Sequence, residues 1–377
     1  MTGAGAAAWR DVCRRLEALG GDDLGPDGIS HLVEQVVCFL GWSVLHADPR
    51  RPAFQRQNDL VSRWGGPNAD NAYRHARVDP ARRYRIRGRM HGCEDFILAI
   101  RAGFMHMETW GTLAQVTASE LGIGVGDDFE LLLGGDAPGA IPLPEGAVMV
   151  SVREYYLDWS AAEPATFTIE CLDDEGPGSP TKGDELAHRL TDGIAHVEQS
   201  MAYWERYLLD ARARHVDNSF APSVQVAKGL AAANYVYCFW NLGPDEALCL
   251  ESDPPDARYW SLQLYNLRWF EAFDLDDRVT SLNHRQVWMG GDGRVHAVVS
   301  HQDPGVPNWL DTGGRGEGLL MLRWFWPGGD APSPAARVVK VGDVAAAFPP
   351  GAPAVDVERR RAERRRRLDH LAWRFRT

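Results

Sequence analysis

The chain has 377 residues, which is more than one hydrophobic core usually supports, so two domains are expected. Hydrophobic content of 45% and charged content of 24% are ordinary for a globular protein. No uninterrupted apolar run of about 18 residues occurs, which predicts no membrane span. Charges inside the N-terminal apolar stretch are unlike a secretory signal, and we expect a cytoplasmic location.

The net charge of -12 is unevenly distributed. From Val355 to Thr377 there are nine Arg and four acidic residues, a balance of +5, so the rest of the chain carries -17. An acidic body argues against nucleic-acid binding, because phosphate contacts need a basic face. The tail predicts a terminal helix whose arginines pair with the acidic body and whose apolar residues are buried, namely Val355, Leu368, Leu371, Trp373 and Phe375. The alternative is an anion-binding arm.

The six cysteines are scattered and form no CxxC pair. This spacing gives no support to a zinc ribbon or a thioredoxin-like site. Reduced, mostly buried thiols are the expectation. The histidines also lack HxH or HExxH spacing, so we predict neither a metal ion nor another cofactor.

Helices are predicted at the start of the chain, from apolar residues at helical spacing in "AAAWRDVCRRLEAL" and "ISHLVEQVVCFLGW". From about Arg82, short period-2 segments separated by Gly, Pro and Asp predict an antiparallel sandwich or barrel. They are "RRYRIRGRM", "DFILAIRAGF", "DFELLLGG", "GAVMVSVREYYLDW" and "ATFTIECL".

A helical insert is predicted next. Residues 184–215 form a long amphipathic stretch, and residues 223–242, preceded by Pro222, are read as a second, more buried helix. Strand patterns then return in "EALCLES", "RYWSLQLYNLRW", "RQVWMGGDGRVHAVVS", "GLLMLRWFW" and "ARVVKVG", with a hairpin turn at "GGDG". The pattern as a whole is α+β.

Several of these stretches resemble a known family. "GGPNADNAYRHARVDPARRYRIRGR" (65–89) resembles the start of the first β-domain of the paired DUF1254/DUF1214 proteins. "RYWSLQLYN", "NHRQ", "GGDGRVHAVVS" and "DPGVPNWLDTGGRGEGLLMLRW" resemble the DUF1214 domain over roughly 250–345. The resemblance implies jelly-roll-like β-sandwiches and brings no agreed activity. We therefore expect two antiparallel jelly-roll-like β-sandwich domains. The predicted segments are N-terminal helices (1–60), a first β-domain (61–180), a helical segment (181–244), a second β-domain (245–345) and an Arg-rich C-terminal helix (346–377).

The motif "DPGVPNWLDTGGRGEGLLMLRW" at 303–324 supplies the first candidate site. Asn308 and Asp311 can bond their own backbone and merely shape a loop. Alternatively they face a cavity walled by Trp309. Arg323, inside an apolar strand, needs a partner, and we predict that its head lies near Asn308 or Asp311 beside Trp309 and Tyr265.

Further candidates lie in two other motifs. "NADNAY" contains Asn68, Asp70 and Tyr73, which either shape a loop before a strand or enter a pocket. "VREYYLDW" carries Glu154 and Asp158 on one strand face, either as an acid–base pair or as a solvated face.

His284 is the favoured general base, because it follows a strand end, where loops carry function. Asp311, Tyr73 and Asp70 are the other catalytic candidates. The predicted substrate-binding residues are Asn68, Tyr259, Trp260, Tyr265, Asn308, Trp309 and Arg323.

Half of the 14 tryptophans lie between Trp240 and Trp326 with interleaved arginines. Aromatics are common in sandwich cores, yet this density predicts walls for a flat, apolar small molecule that carries an anionic group. We expect a hydrolase, lyase or isomerase acting on a lipid, steroid or terpenoid derivative, in a pocket between the β-domains. A non-catalytic binding or scaffold protein is the alternative, and homo-oligomerisation is left open.

Overall fold

The computed structural model describes residues 3–160, 163–173, 176, 181–226, 229–230 and 232–376. The chain divides into two compact units. The first comprises Met1–Trp64, Asn71–Tyr156 and Glu163–Trp204, and the second comprises Gly65–Asp70, Leu157–Ala162 and Glu205–Thr377. The fold is α+β, as predicted.

Five α-helices occur in the described residues: α1 (Ala4–Leu19), α2 (Gly25–Leu40), α3 (Gly183–Arg212), α4 (Val344–Ala347) and α5 (Val357–Phe375). The two predicted N-terminal helices and the long helix at 184–215 are confirmed as α1, α2 and α3. A π-helical turn, Gly41–Leu45, follows α2. The stretch Gly25–Leu45 is long and apolar enough by composition to cross a membrane. Half of its most apolar 18-residue segment is buried, as is usual for core helices of proteins that span no membrane.

Two antiparallel sheets form the first unit. Sheet A has the order β1-β2-β7-β4-β5, and sheet B has the order β6-β3-β8. Phe96 of β4 packs against Phe129 and Phe167 of sheet B, so the two sheets share a core. The strands are β1 (Gln55–Arg56), β2 (Asn71–Arg77), β3 (Tyr84–Arg89), β4 (Asp95–Gly103), β5 (Gly111–Thr117), β6 (Asp128–Leu133), β7 (Met149–Tyr155) and β8 (Thr166–Cys171).

The second unit is also a sandwich. Sheet C has the order β13-β12-β16-β10-β9, and sheet D has the order β15-β14-β11-β17, in which only the β14–β15 pair is parallel. The strands are β9 (Ser219–Phe220), β10 (Ala233–Asn241), β11 (Glu246–Ser252), β12 (Ala257–Tyr265), β13 (Ser281–Asn283), β14 (Val295–Ser300), β15 (Trp309–Asp311), β16 (Glu317–Pro327) and β17 (Ala335–Lys340).

The prediction of a second helix at 223–242 is wrong. Its C-terminal half is β10, which pairs with β16 along nine residues, and Pro222 precedes no helix. The sequence "ANYVYCFWN" is rich in β-branched and aromatic residues, and its sheet contacts outweigh the helical character of the alanines before it. The hairpin turn at "GGDG" is confirmed, since Gly290 N–H donates to the Arg294 carbonyl (3.0 Å) and Gly293 has a φ of 77°.

The C-terminal helix is confirmed as α5, but its predicted burial is only partly correct. Phe375, Leu371 and Val355 are buried, whereas Leu368 and Trp373 are exposed, Trp373 to 62%. Arginines take the buried positions instead. Arg360, which is itself buried, donates to both carboxylate oxygens of Asp303 (2.9 and 3.1 Å). The expected pairing of a tail arginine with an acidic residue of the body is thus formed by Arg360 and Asp303.

Candidate functional site

Sheet C is buried on both faces. Successive side chains of β12 point to opposite faces, and the two faces carry different kinds of residue. Trp260, Leu262 and Leu264 belong to the sandwich core between sheets C and D. The opposite face carries Tyr259, Ser261, Gln263 and Tyr265, all at most 1% exposed. Buried polar side chains are stable only when they are hydrogen-bonded, so this second face requires a polar cover.

The cover is the segment Gly65–Asp70, whose backbone groups meet that face one after another. Tyr265 donates its hydroxyl hydrogen to the Pro67 carbonyl (2.7 Å), and Gln263 Oε1 accepts from the Ala69 N–H (2.9 Å). Arg323 on β16 donates to the Gly66 carbonyl (3.1 Å). Gly66 has a φ of 66°, and a Cβ there would lie 2.6 Å from the Phe270 ring, so only glycine fits.

Asp70 ends this segment with a carboxylate that is only 1% exposed. Its Oδ1 accepts from Trp159 Nε1 (2.8 Å) and from Asn283 Nδ2 (2.6 Å), and its Oδ2 lies 2.7 Å from the Tyr259 hydroxyl. Three donors on one buried carboxylate are what such a group needs to remain stable away from water.

The Tyr259 hydroxyl lies 2.7 Å from each of three oxygens, those of Asn68, Asp70 and Ser261. It has one hydrogen to donate, and the Ser261 hydroxyl can donate to it in turn. Burial, together with the Asp70 charge, raises the pKa of Tyr259 well above its ordinary value. The phenol therefore stays protonated at neutral pH. We call Asn68, Asp70, Trp159, Tyr259, Ser261 and Asn283 the Asp70 cluster.

Helix α5 completes the cluster by surrounding the Trp159 ring. The guanidinium groups of Arg367 and Arg374 lie 4.5 and 4.7 Å from its centroid, and His370 stacks on it at 5.0 Å. Arg367 donates to the Ser281 carbonyl (2.9 Å). Burial, followed by the Arg374 and Arg367 charges, lowers the pKa of His370 to about 2. The imidazole is therefore neutral and accepts a hydrogen bond from Arg374 (3.0 Å).

His284 is half-buried beside the cluster, immediately after β13. The Asn283 side chain accepts from the Arg285 N–H (2.9 Å), which forms a tight turn with His284 at its bend. The ring centroid of His284 is 6.1 Å from that of Tyr259. Burial lowers its pKa from the ordinary value, against an opposing effect of the Asp70 charge. Its Nδ1 has no hydrogen-bond partner among the described residues. A neutral imidazole of this kind can accept a proton.

The predicted position of Arg323 is correct for Tyr265 and wrong for Asn308 and Asp311. Its guanidinium hydrogen-bonds the Tyr265 hydroxyl and the Gly66 carbonyl, and it is not paired with Asn308 or Asp311. Asp311 belongs to β15 in sheet D, whereas Arg323 lies on the face of sheet C that is turned away from sheet D. The chain crosses from one sheet to the other between them, so closeness in sequence does not produce contact.

Asn308 and Asp311 have the loop-shaping role that was the alternative reading. Asn308, at a φ of 54°, accepts from the Trp288 N–H (2.8 Å) and donates to the carbonyls of Trp288 and His296 (both 2.7 Å). Asp311 accepts from the Gly313 N–H (2.8 Å) and pairs with Arg278 (2.9 Å). Trp309 packs under the Arg360 guanidinium, 5.1 Å from its ring centroid.

Two other candidates do not belong to the Asp70 cluster. Trp260 faces the sandwich core, because it alternates with Tyr259. Tyr73 lies on β2 in the first unit, with its hydroxyl 3.4 Å from Asn71 Oδ1.

The acid–base pair predicted for Glu154 and Asp158 is not formed either. Glu154 is fully buried with Arg74 (2.5 Å) and Tyr156 (2.5 Å), whereas Asp158 is exposed and accepts from the Ser160 N–H.

Sequence reasoning missed six residues of this region: Trp159, Ser261, Asn283, Arg367, His370 and Arg374. A signal existed for the last three. Arg360, Arg367 and Arg374 recur every seven residues, and His370 lies between two of them, which places all four along one side of a helix. Trp159 and Asn283 carried no such signal, because their contacts with Asp70 join positions 89 and 213 residues apart.

A separate open cleft of about 190 Å³ lies on the outer side of sheet D. It is lined by Cys249, Leu250, Glu251, His296, Ala335, Ala336, Arg337, Ala347 and Phe348. His296 Nε2 is 2.9 Å from Asp292, and burial raises the pKa of the Cys249 thiol. A thiol with a raised pKa is a poor nucleophile, so we assign this cleft no covalent chemistry.

We expect Arg323→Met to lower the free energy of unfolding by about 2–3 kcal/mol, because it removes the donor to the buried Tyr265 hydroxyl and to the partly buried Gly66 carbonyl. Asp311→Asn should cost about 1 kcal/mol or less, since the ion pair it weakens is partly exposed. Urea unfolding of both variants and of the double variant measures this. Because the two residues are not in contact, their effects should add, and a coupling above about 0.5 kcal/mol would contradict the assigned contacts.

Comparisons with known proteins agree with this architecture, a mixed α+β chain built on antiparallel sheets. Residues 245–329 match the family model described as a protein of unknown function, DUF1214. The chain therefore contains a DUF1214 domain. The curated proteins contain no match to the sequence.

Solved structures that align with the chain include the following two. A crystal structure of an uncharacterised protein from Burkholderia cenocepacia aligns with a TM-score of 0.81 and 26% identity, over 90% of this chain and 98% of that one. The VPA0106 protein from Vibrio parahaemolyticus aligns with a TM-score of 0.46 and 12% identity, over 87% of this chain and 99% of that one.

Proposed function

We propose that the protein is an enzyme that acts by acid–base chemistry on an apolar small molecule, with His284 as the general base. The observation that carries the proposal is the His284 imidazole beside the Asp70 cluster. Its pKa is lowered, and its Nδ1 has no hydrogen-bond partner among the described residues. A general base must be largely unprotonated at the working pH, and the lowered pKa of His284 favours that form.

The cluster would position that base. Asp70 is too buried, and too fully hydrogen-bonded, to touch a substrate itself, so its proposed role changes from catalytic residue to positioning residue. It holds the side chain of Asn283, whose neighbour is His284. Tyr259 is likewise fully buried and would stabilise Asp70. Arg285, exposed and adjacent to His284, would supply a positive charge for an anionic group of the substrate.

The chemistry available to such a base is proton removal. His284 would abstract a proton from water that attacks an ester, or from a carbon next to a carbonyl group, which corresponds to the hydrolase and the lyase or isomerase alternatives. The protonated imidazole would then return the proton to the leaving group or to the product.

The alternative is a non-catalytic binding protein, and one observation favours it. The side-chain contacts described for Asp70 are all internal, which is sufficient to explain the cluster as the anchor of the Gly65–Asp70 segment. A binding protein would retain an apolar ligand without turning it over. Native mass spectrometry of the purified protein tests for such a ligand.

The enzymatic proposal is tested with His284→Gln. Turnover of p-nitrophenyl alkanoates and of a β,γ-unsaturated steroid ketone is followed by absorbance, with the exposed His188→Gln on α3 as control. We expect the His284 variant to lose about 100-fold or more in kcat with little change in melting temperature, and the control to match the wild type. Because the pKa of His284 is lowered, the wild-type rate should be level around pH 7 and fall only below pH 6.5.

If neither substrate is turned over above the His284→Gln background while a bound apolar molecule is found by mass spectrometry, the binding function replaces the enzymatic one.

A further inference from the structure

The arginines of α5 form two neighbouring stripes that differ in exposure. Arg360, Arg367 and Arg374, spaced by seven residues, are buried. The residues one position before these arginines form a second row with the same seven-residue spacing. They are Arg359, Arg366 and Trp373, and all three are exposed. The buried arginines anchor the helix in the second unit, so the exposed row is not needed to hold the helix in place.

The exposed stripe is basic and only weakly neutralised. Arg361 pairs with Glu358 (2.7 Å) and Arg365 pairs with Asp369 (2.9 Å). Within the part of the chain that the structure describes, no ion pair involves Arg359, Arg364, Arg366 or Arg376, and these four are exposed.

Trp373 lies within this basic surface and is 62% exposed. On a helical wheel, Arg366 lies two turns before it on the same side, and Arg376 follows directly after the end of the helix. An exposed indole flanked by arginines is the composition of helices that lie in a membrane interface, where the ring enters the headgroup region and the cations meet lipid phosphates.

We propose that the exposed face of α5, formed by Arg359, Arg366 and Trp373 with the adjoining Arg376, binds the surface of an anionic lipid membrane. The helix has 19 residues and is about 28 Å long, so it can lie flat along such a surface. Charge complementarity selects the partner, because this face is basic although the remaining chain carries -17.

That acidic remainder also argues against a nucleic acid. A nucleic acid needs an extended basic surface for its phosphates, and the chain outside residues 355–377 carries -17.

The test is co-sedimentation of the full chain with phosphatidylcholine vesicles, with and without phosphatidylglycerol. We expect binding only when phosphatidylglycerol is present, and loss of that binding at high salt. Each basic residue near an anionic surface contributes about fivefold to partitioning, so Arg359→Gln with Arg366→Gln should weaken binding about 25-fold. Trp373→Ala should weaken it as well.

The matched control removes the same charge from α1, by Arg10→Gln with Arg14→Gln, both at exposed positions. It should bind as the wild type does. Binding that needs no phosphatidylglycerol would point to an apolar surface such as Ile29, Val33 and Val37 of α2 and would overturn the proposal. It would also be overturned by equal binding of the α5 double variant, or by binding to single-stranded RNA without binding to vesicles.

Discussion

Replacing Asp70 with alanine is expected to lower the free energy of unfolding by about 3–5 kcal/mol, measured by urea denaturation followed by circular dichroism. The substitution removes the acceptor of Trp159 Nε1 and Asn283 Nδ2 together with the partner of the Tyr259 hydroxyl. It also removes one of the two negative charges near the buried Arg367 guanidinium, the other being Glu363. Buried donors that lose an acceptor cannot turn to water, which explains the size of the effect.

The matched control is Asp158→Ala, an aspartate of the second unit that is exposed and accepts hydrogen bonds from the backbone and side chain of Ser160. It should cost about 1 kcal/mol or less. If Asp70→Ala were no more destabilising than this control, the cluster would not be the buried network that its distances indicate.

Deletion of Val357–Thr377 is expected to have the largest effect on stability, a fall of roughly 10 °C or more in melting temperature. The deletion exposes the apolar surface under Leu371 and Phe375, and it removes the hydrogen bonds of Arg367 to Ser281 and of Arg360 to Asp303. Burying each of the two apolar side chains alone contributes about 1.5–3 kcal/mol. Differential scanning calorimetry on the truncated and full-length chains gives the comparison.

The control for the deletion is the full-length Arg359→Gln with Arg366→Gln variant, which changes only exposed positions of α5 and should melt with the wild type. An unchanged melting temperature after truncation would instead mean that the tail is a free arm and that its buried arginines have no structural role.

The sequence predicted most of the strands and helices, because period-2 and period-3.6 patterns report burial directly. It failed where a pattern is ambiguous, as at β10, where an alanine-rich lead-in suggested a helix. It also failed where burial uses polar side chains. Arg360, Arg367 and Arg374 occupy the inner side of α5, so a rule that places apolar residues inside assigned Trp373 to the wrong environment.

The sequence predicted several residues of the candidate site, but not which of them are in contact. Asn68, Asp70, Tyr259 and His284 were each selected from local sequence, and the structure brings them together. Arg323 and Asp311 were paired because they are near in sequence, although a sandwich places neighbouring strands of the chain in different sheets. Contacts across about 200 residues, such as Asn283 with Asp70, follow only from the complete topology.

The role of His284 is tested most directly by crystallography of the protein carrying an apolar ligand, either co-purified or soaked as a non-hydrolysable ester analogue. We predict electron density for the ligand within hydrogen-bonding distance of a His284 ring nitrogen, with Asp70 still bound to Asn283. Density for the ligand at a distant place, such as the cleft beside His296, with His284 in contact only with solvent, would contradict the account.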